Sequence, residues 1–412
     1  MDEPSSGAGR AHRALALMGL ALVALTAAAG FYLHSAGGAR QPVPAPAVTS
    51  LDWLSAQVGW VVLTDAQGRS VLFHTADGGR SWARQFATIG SAMSVHFLDG
   101  THGLMTESTP FPEANPTVLR SDDAGAHWSP VPQPFGLGPR PVLPFFLDPD
   151  HGWLIVRTGR GESLEDVDIL RTGDGGLNWT PILSVDPITW ISHGVREQGL
   201  KRWVWFRTQR DGWLGTLEPD GSVSVSVTHD GGEDWRRVAL PEPPGGWTAA
   251  GLLTNGWTVG QTLAIMPPRI TDSGRGTLVL VDVTRPPGRH AASPAPRPPV
   301  VVYRTVDGGE TWTDPTPAPA EVDPRLTEPA FVDGANGWLA GGASVWLSSD
   351  SGESWTRRGS LPAGRSFVNL APVDESVAVG QAATGSAPGS PWSLVVTEDG
   401  GRTWRELPGP HL

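Results

Sequence analysis

The chain has 412 residues, 30 Lys+Arg against 42 Asp+Glu, a formal net charge of -12 and no cysteine. The acidic balance argues against a nucleic-acid partner, which needs a basic face, and the missing cysteine excludes disulfides, thiolate metal sites, a cysteine nucleophile and a lipid-modified cysteine anchor. Gly at 52 and Pro at 39 oppose long helices and rule out a helical bundle, while 39% hydrophobic residues allow a sizeable core.

Residues 14–33 carry no charge. Twenty residues at about 1.5 Å rise span roughly 30 Å, one hydrocarbon thickness. Arg10 and Arg13 precede the run and the next charge is Arg40, so residues 1–13 are expected in the cytoplasm and the rest outside. The run exceeds the roughly 7–15 residues of a signal-peptide core, and Phe31-Tyr32 suits an interface, so it reads as a transmembrane anchor. A cleaved signal ending near Ala27-Ala28-Ala29 is the alternative, and it exports the same remainder. Residues 34–47 form a Pro/Gly-rich linker, an extended spacer. Residues 48–412 hold a repeat.

The repeat is Ser/Thr-x-Asp-x-Gly-x-x-Trp, and it occurs seven times: at 75–82, 121–128, 172–179, 228–235, 305–312, 348–355 and 397–404. Its acids are Asp77, Asp123, Asp174, Asp230, Asp307, Asp350 and Asp399. Its indoles are Trp82, Trp128, Trp179, Trp235, Trp312, Trp355 and Trp404. The carboxylate and the hydroxyl can accept hydrogen bonds from the N–H groups of a tight turn. The Gly supplies a positive φ, and the Trp buries its ring where the next strand begins. Apolar runs such as Val71–His74 and Val301–Arg304 precede the boxes, so each box is expected to be a hairpin turn.

A Gly-Trp step or a near variant runs ahead of each box: Gly59-Trp60, Gly103-Leu104, Gly152-Trp153, Gly212-Trp213, Gly256-Trp257, Gly337-Trp338 and a degenerate Ser376–Gly380. Before it usually lies another apolar run. Each unit therefore reads as strand A, turn, strand B from Gly-Trp, loop, strand C, box turn, strand D. The box Trp residues are 46, 51, 56, 77, 43 and 49 apart. Four-stranded units of about 50 residues predict an all-β, seven-bladed β-propeller of antiparallel blades. The long fourth spacing predicts an insertion in the fifth unit, roughly Pro267–Pro299, between strands B and C. A–B turns and boxes share one end of each unit; the more variable B–C and D–A connections share the other, where function usually sits.

The boxes resemble the Asp-box, or BNR, repeats of the sialidase-like propeller superfamily. With the Gly-Trp steps, the pattern is most similar to the seven-bladed propellers of the photosystem II assembly and stability factor type. The resemblance covers about residues 48–408 and implies a fold more than an activity. A sialidase of that superfamily needs an arginine cluster, a Tyr nucleophile with a Glu partner, and an Asp acid/base. The chain has two tyrosines: Tyr32 falls in the apolar segment and Tyr303 near the box end of its strand. The Phe/Tyr-Arg-Ile-Pro motif is missing; Phe206-Arg207-Thr208-Gln209 departs from it after two residues. The box acids read as structural, and the histidines show no metal spacing, so no catalytic residue, metal or cofactor is assigned.

One basic concentration stands out, with Arg196, Lys201, Arg202, Arg207 and Arg210, preceded by an acidic loop with Glu162, Glu165, Asp166 and Asp168. Arg196, Lys201 and Arg202 are expected on the variable end, as solvated charges or as a docking patch for a partner protein. The sequence thus points to a non-catalytic, membrane-tethered, extracytoplasmic propeller that binds a protein or assists assembly of a membrane or envelope complex. The alternative is an exported glycoside hydrolase acting on carbohydrate.

Overall fold

A computed structural model describes residues 45–89, 92–108, 117–132, 142–157, 167–185, 191–196, 198–218, 222–244, 263–282, 300–322, 329–385 and 390–412. The expected anchor at 14–33, its flank at 1–13 and nearly all of the linker lie outside the described residues. Among the described residues no helix is long and apolar enough to cross a membrane.

The chain is an all-β, seven-bladed propeller. Blade 1 is β1 (Ala47–Trp53), β2 (Gly59–Thr64), β3 (Arg69–Thr75) and β4 (Ala83–Ile89). Blade 2 is β5 (Ala92–Phe97), β6 (Gly103–Ser108), β7 (Thr117–Ser121) and β8 (Ser129–Pro130). Blade 3 is β9 (Val142–Phe146), β10 (Gly152–Arg157), β11 (Val167–Thr172) and β12 (Thr180–Val185). A small hairpin follows, β13 (Ile191–Ser192) and β14 (Val195–Arg196). Blade 4 is β15 (Leu200–Phe206), β16 (Gly212–Leu217), β17 (Val223–Thr228) and β18 (Arg236–Val238). Blade 5 is β19 (Leu263–Ile265), β20 (Arg269–Ile270), β21 (Gly276–Asp282), β22 (Val300–Thr305) and β23 (Thr316–Pro317). Blade 6 is β24 (Ala330–Phe331), β25 (Gly337–Gly341), β26 (Ser344–Ser348) and β27 (Thr356–Ser360). Blade 7 is β28 (Ser366–Pro372), β29 (Ala378–Ala383), β30 (Trp392–Thr397) and β31 (Arg405–Leu407).

Each blade is an antiparallel meander, strand A to strand D in chain order. Two compact groups form, one of blades 3 to 6 and one of blades 7, 1 and 2. Strands B and C are buried along nearly their whole length, as in β2, β16 and β29, because apolar side chains leave both of their faces. This explains the continuous apolar runs, which lack the alternation of a half-exposed sheet. Strand D is the exposed edge, as in β4 and β27. Cores form between neighbours: Leu63, Phe73, Val379 and Leu407 join blades 1 and 7, while Trp60, Val95 and Met105 join blades 1 and 2. Val281, Val302 and Leu339 join blades 5 and 6.

The Gly-Trp step has two separate causes. A Cβ on the glycine would collide with the last side chain of strand A: on Gly59 it would lie 2.4 Å from the Trp53 ring, on Gly103 2.5 Å from Phe97, and on Gly212 2.4 Å from Phe206. The tryptophan instead faces the following blade. Trp60 Nε1 donates to the Ala124 carbonyl (3.0 Å), Trp153 Nε1 to Gly231 (3.0 Å) and Trp213 Nε1 to Gly308 (3.1 Å). Each acceptor lies in the next blade's box. Trp60 also stacks on Phe97 (3.5 Å, 8°), and Trp153 on Phe206 (3.7 Å, 7°).

The fifth unit corrects the sequence reading. Its strand B is β21, which starts at Gly276; Gly276 pairs with Thr305 as Gly59 pairs with Thr75. Gly256-Trp257, expected to open that strand, lies outside the described residues. The expected insertion at Pro267–Pro299 begins too early. Pro267-Pro268 only breaks strand A into β19 and β20, both paired with β21, because proline cannot donate to a ladder. The B–C connection is therefore residues 283–299.

Candidate functional site

The seven boxes share one geometry. In the first, the Thr75 hydroxyl donates to Asp77 Oδ1 (2.9 Å) and accepts from the Gly79 N–H (2.9 Å). Asp77 Oδ1 accepts the N–H groups of Arg80 and Ser81, both at 2.9 Å, and Oδ2 the Ser81 hydroxyl at 2.6 Å. The hydroxyl-to-carboxylate bond recurs at Ser121–Asp123, Thr172–Asp174, Thr228–Asp230, Thr305–Asp307, Ser348–Asp350 and Thr397–Asp399. A box N–H also donates to the A–B turn of its own blade at 2.8–2.9 Å, as from Gly78 to Gln57, Gly231 to Arg210 and Gly400 to Ser376. These bonds hold A–B turns and boxes together at one end, here called the box end; the other is the loop end. The box Trp meets the strand-A ring edge-on, as in Phe97–Trp128 (5.9 Å, 74°) and Phe206–Trp235 (6.1 Å, 72°).

Sequence reasoning missed a second acid. Asp99, Asp148, Asp333 and Asp374 cap the A–B turns by accepting two N–H groups each, such as Thr101 and His102 on Asp99 (both 2.8 Å). The available signal was an Asp one or two residues after the last apolar residue of strand A.

These bonds favour the ionised carboxylates. The hydroxyl and N–H of Ser81 hold Asp77 down at about 2. The N–H and ring of His127 do so for Asp123, and the hydroxyl and N–H of Thr403 for Asp399, each at about 2. At Asp99 burial pushes upward, but the His102 and Thr101 donors outweigh it and bring it to about 2.

The buried member of each box is the hydroxyl residue. Thr305 is 3% exposed, whereas Asp307 lies at the surface. Thr305→Val strands the buried Gly309 N–H and should cost about 1–3 kcal/mol; Asp307→Ala, re-solvated by water, should cost about 1 kcal/mol. Chemical denaturation of both variants checks the order. An equal or reversed order would show that the carboxylate holds the turn.

Several ionic contacts cross blades 4 and 5 at the box end. His229 lies between Asp211 (Nδ1–Oδ1 2.9 Å) and Glu310 (Nε2–Oε1 2.8 Å), and Arg236 also pairs with Glu310. Arg207 pairs with Asp211 (3.2 Å) and donates to the Thr271 carbonyl (2.9 Å). Arg210 donates to the His229 carbonyl (3.2 Å). Arg207 and Arg210 are thus spent at the box end. Among the described residues no group of three or more His, Asp or Glu is placed to hold a metal ion.

The expected docking trio does not form one exposed face. Lys201 is 1% exposed, and its Nζ donates to the carbonyls of Gln198 (3.2 Å) and Gly199 (3.0 Å). Arg202 is half-buried and is the unpaired residue of a bulge in β15, since Lys201 pairs with Thr216 and Trp203 with Gly215. Arg196 is exposed on β14. Arg196 is expected on the variable end, but the tip of the β13–β14 hairpin that carries it seats on the box of blade 4. Trp235 N donates to the His193 carbonyl (2.8 Å), and His193 Nδ1 lies 2.9 Å from Asp234 Oδ1. Gly194 is required at the tip, since a Cβ would fall 1.7 Å from the Trp235 carbonyl oxygen. The acidic loop carrying Glu162, Glu165 and Asp166 lies outside the described residues.

Tyr303 is fully buried in strand C of blade 5. Its hydroxyl donates to the Pro241 carbonyl (2.9 Å), and burial raises its pKa. A phenol held protonated in a closed contact is unsuited to nucleophilic attack.

No protein-family model matches the chain, and no curated protein matches it. Solved structures share its fold. YCF48 bound to D1 peptide is 17% identical, covers 87% of this chain and 94% of its own, and gives a TM-score of 0.49. YCF48 from Cyanidioschyzon merolae is 17% identical over 87% of this chain and 96% of its own, at 0.47. A prolyl endopeptidase structure reaches 0.55 at 12% identity over 88% of this chain, which spans 50% of that larger chain. At these identities the likeness is one of fold alone.

Proposed function

We propose that the chain is a non-catalytic propeller, tethered to the membrane through residues 14–33 and displayed outside the cytoplasm, that binds a protein partner or assists assembly of a membrane complex. One observation carries the non-catalytic part: the acids that recur in the sequence are bonded inside their own turns, and Tyr303 is closed off in the core. A glycosidase needs two carboxylates free to face a sugar across a cleft. The tether rests on the length and charge flanks of the apolar run.

The test uses the full chain in its membrane. It should resist alkaline extraction, release no sugar from a panel of polysaccharides, and crosslink reproducibly to one defined protein. Sugar release by the purified chain, abolished by one acidic substitution, would overturn the reading in favour of an exported hydrolase. Of the expected trio, Arg196 is the exposed side chain offered to such a partner. The reversal Arg196→Glu should slow capture at low salt and matter less as salt rises, since exposed charges are screened within about 8 Å at physiological ionic strength. Stability should change by about 1 kcal/mol or less. Unaltered association rates at low salt would remove Arg196 from the docking surface.

A further inference from the structure

We infer that the loop end of blades 1 and 7 faces the bilayer and rests on its headgroup layer, with the box end of these blades turned away. The inference rests on the tether proposed above and adds an orientation to it.

The first observation is where the propeller's chain begins. In blade 1, Ala47 pairs with Thr64 and Trp53 with Gly59, while Gly59 pairs with Thr75. Strand β1 therefore starts at the loop end and runs to the box end. Pro46, immediately before it, is held there: its carbonyl accepts the Nε1–H of Trp392, the first residue of β30 in blade 7. Trp392 pairs with Ala383 at the loop end of that blade. The entry point is thus fixed by two blades.

The second observation is the reach of the chain before that point. Twelve residues, 34–45, separate the apolar run from Pro46. Fully extended they span no more than about 40 Å. A blade strand of six residues at about 3.3 Å each is roughly 20 Å long. Bringing the box end to the bilayer would use about half of the tether's reach simply to run back along the blade, and a Pro-rich spacer resists such a reversal.

The third observation is the chemistry of the loop end. Ile89, the last residue of β4, is 79% exposed and pairs with Arg69 at the loop end. Pro391 beside Trp392 is exposed, and Trp392 is half-buried. Arg69 reaches solvent, bonded to Asp65 (3.1 Å). An apolar side chain, an indole and a cation together are the set favoured where water meets lipid. The box end of the same blade presents the polar turn Ala76–Arg80.

The absence of cysteine makes the test direct. Ala66→Cys at the loop end and Ala76→Cys at the box end are both at exposed positions of blade 1. Each full-length variant is spin-labelled and reconstituted into phosphatidylcholine vesicles containing nickel-chelating headgroups. The paramagnetic relaxation enhancement should be several-fold larger at position 66 than at 76, and Ile89→Glu should reduce it at 66. Equal enhancement, or a larger one at 76, overturns the orientation. A chain that does not stay with the vesicles in alkaline carbonate has lost the tether itself, which defeats this inference and the membrane reading together. Circular dichroism of each variant excludes a folding artefact.

Discussion

Trp153→Ala should destabilise the propeller by about 3–5 kcal/mol, the usual range for truncating a large buried aromatic residue. Trp153 is 1% exposed, stacks at 3.7 Å on Phe206 and donates to the Gly231 carbonyl. Both contacts lie between blades 3 and 4, so the loss falls on the interface that joins them. Trp153→Phe separates the causes. It keeps an aromatic face against Phe206 but leaves the Gly231 carbonyl without its indole donor, so it should cost roughly 1–3 kcal/mol. Urea denaturation measures both. If Trp153→Ala lost less than Trp153→Phe, the stack and the bond would not be what couples the blades.

The same contact explains which parts of the fold were legible. Seven boxes announce seven turns because a turn needs fixed residue types at fixed spacing. Gly-Trp announces strand B because two demands meet at adjacent positions: room for the strand-A ring, and an indole for the next blade. Blade 5 keeps the glycine at Gly276 but carries Thr277 next to it, so the dipeptide pattern settled on Gly256-Trp257 instead. The space requirement survived there and the tryptophan did not. The glycine's cause becomes visible only with Ile270 in place, since a Cβ on Gly276 would meet it at 2.6 Å.

The candidate docking residues were less legible for a different reason. A run of basic residues shows charge but not direction. Lys201 and Arg202 are neighbours in sequence, yet Lys201 is buried in the ladder and Arg202 is the half-buried residue of a bulge, while Arg196 belongs to a separate hairpin. Lys201 also fails the rule that lysine stays at the surface; two backbone carbonyls hold its ammonium inside. The box acids show the converse. Seven repeated carboxylates invite a catalytic or metal-binding reading, yet each lies within reach of its own turn's donors, so repetition alone identified them as structural.

Acid should destabilise this propeller progressively as pH falls from about 5 toward 2. The box acids Asp77, Asp123 and Asp399, with the A–B turn acid Asp99, are held at about 2. Asp174 is lowered by its bonds to Asn178; at Asp230, Asp307 and Asp350 burial is the largest single influence and pushes upward, but the turn donors together outweigh it and shift them the same way. A folded-state value below the unfolded one means that the unfolded chain binds protons first. Their stabilisation is therefore complete above about pH 4–5 and is lost as pH falls from there toward 2. Each acid is largely solvated, so each contribution is small. They act in parallel in all seven blades, so the small contributions add. The melting temperature should stay level down to about pH 5 and then fall steeply. Replacing Asp77, Asp307 and Asp399 with Asn should lower it at pH 7 and flatten the acid limb. An acid limb of unchanged slope in the triple variant would assign the sensitivity to other groups.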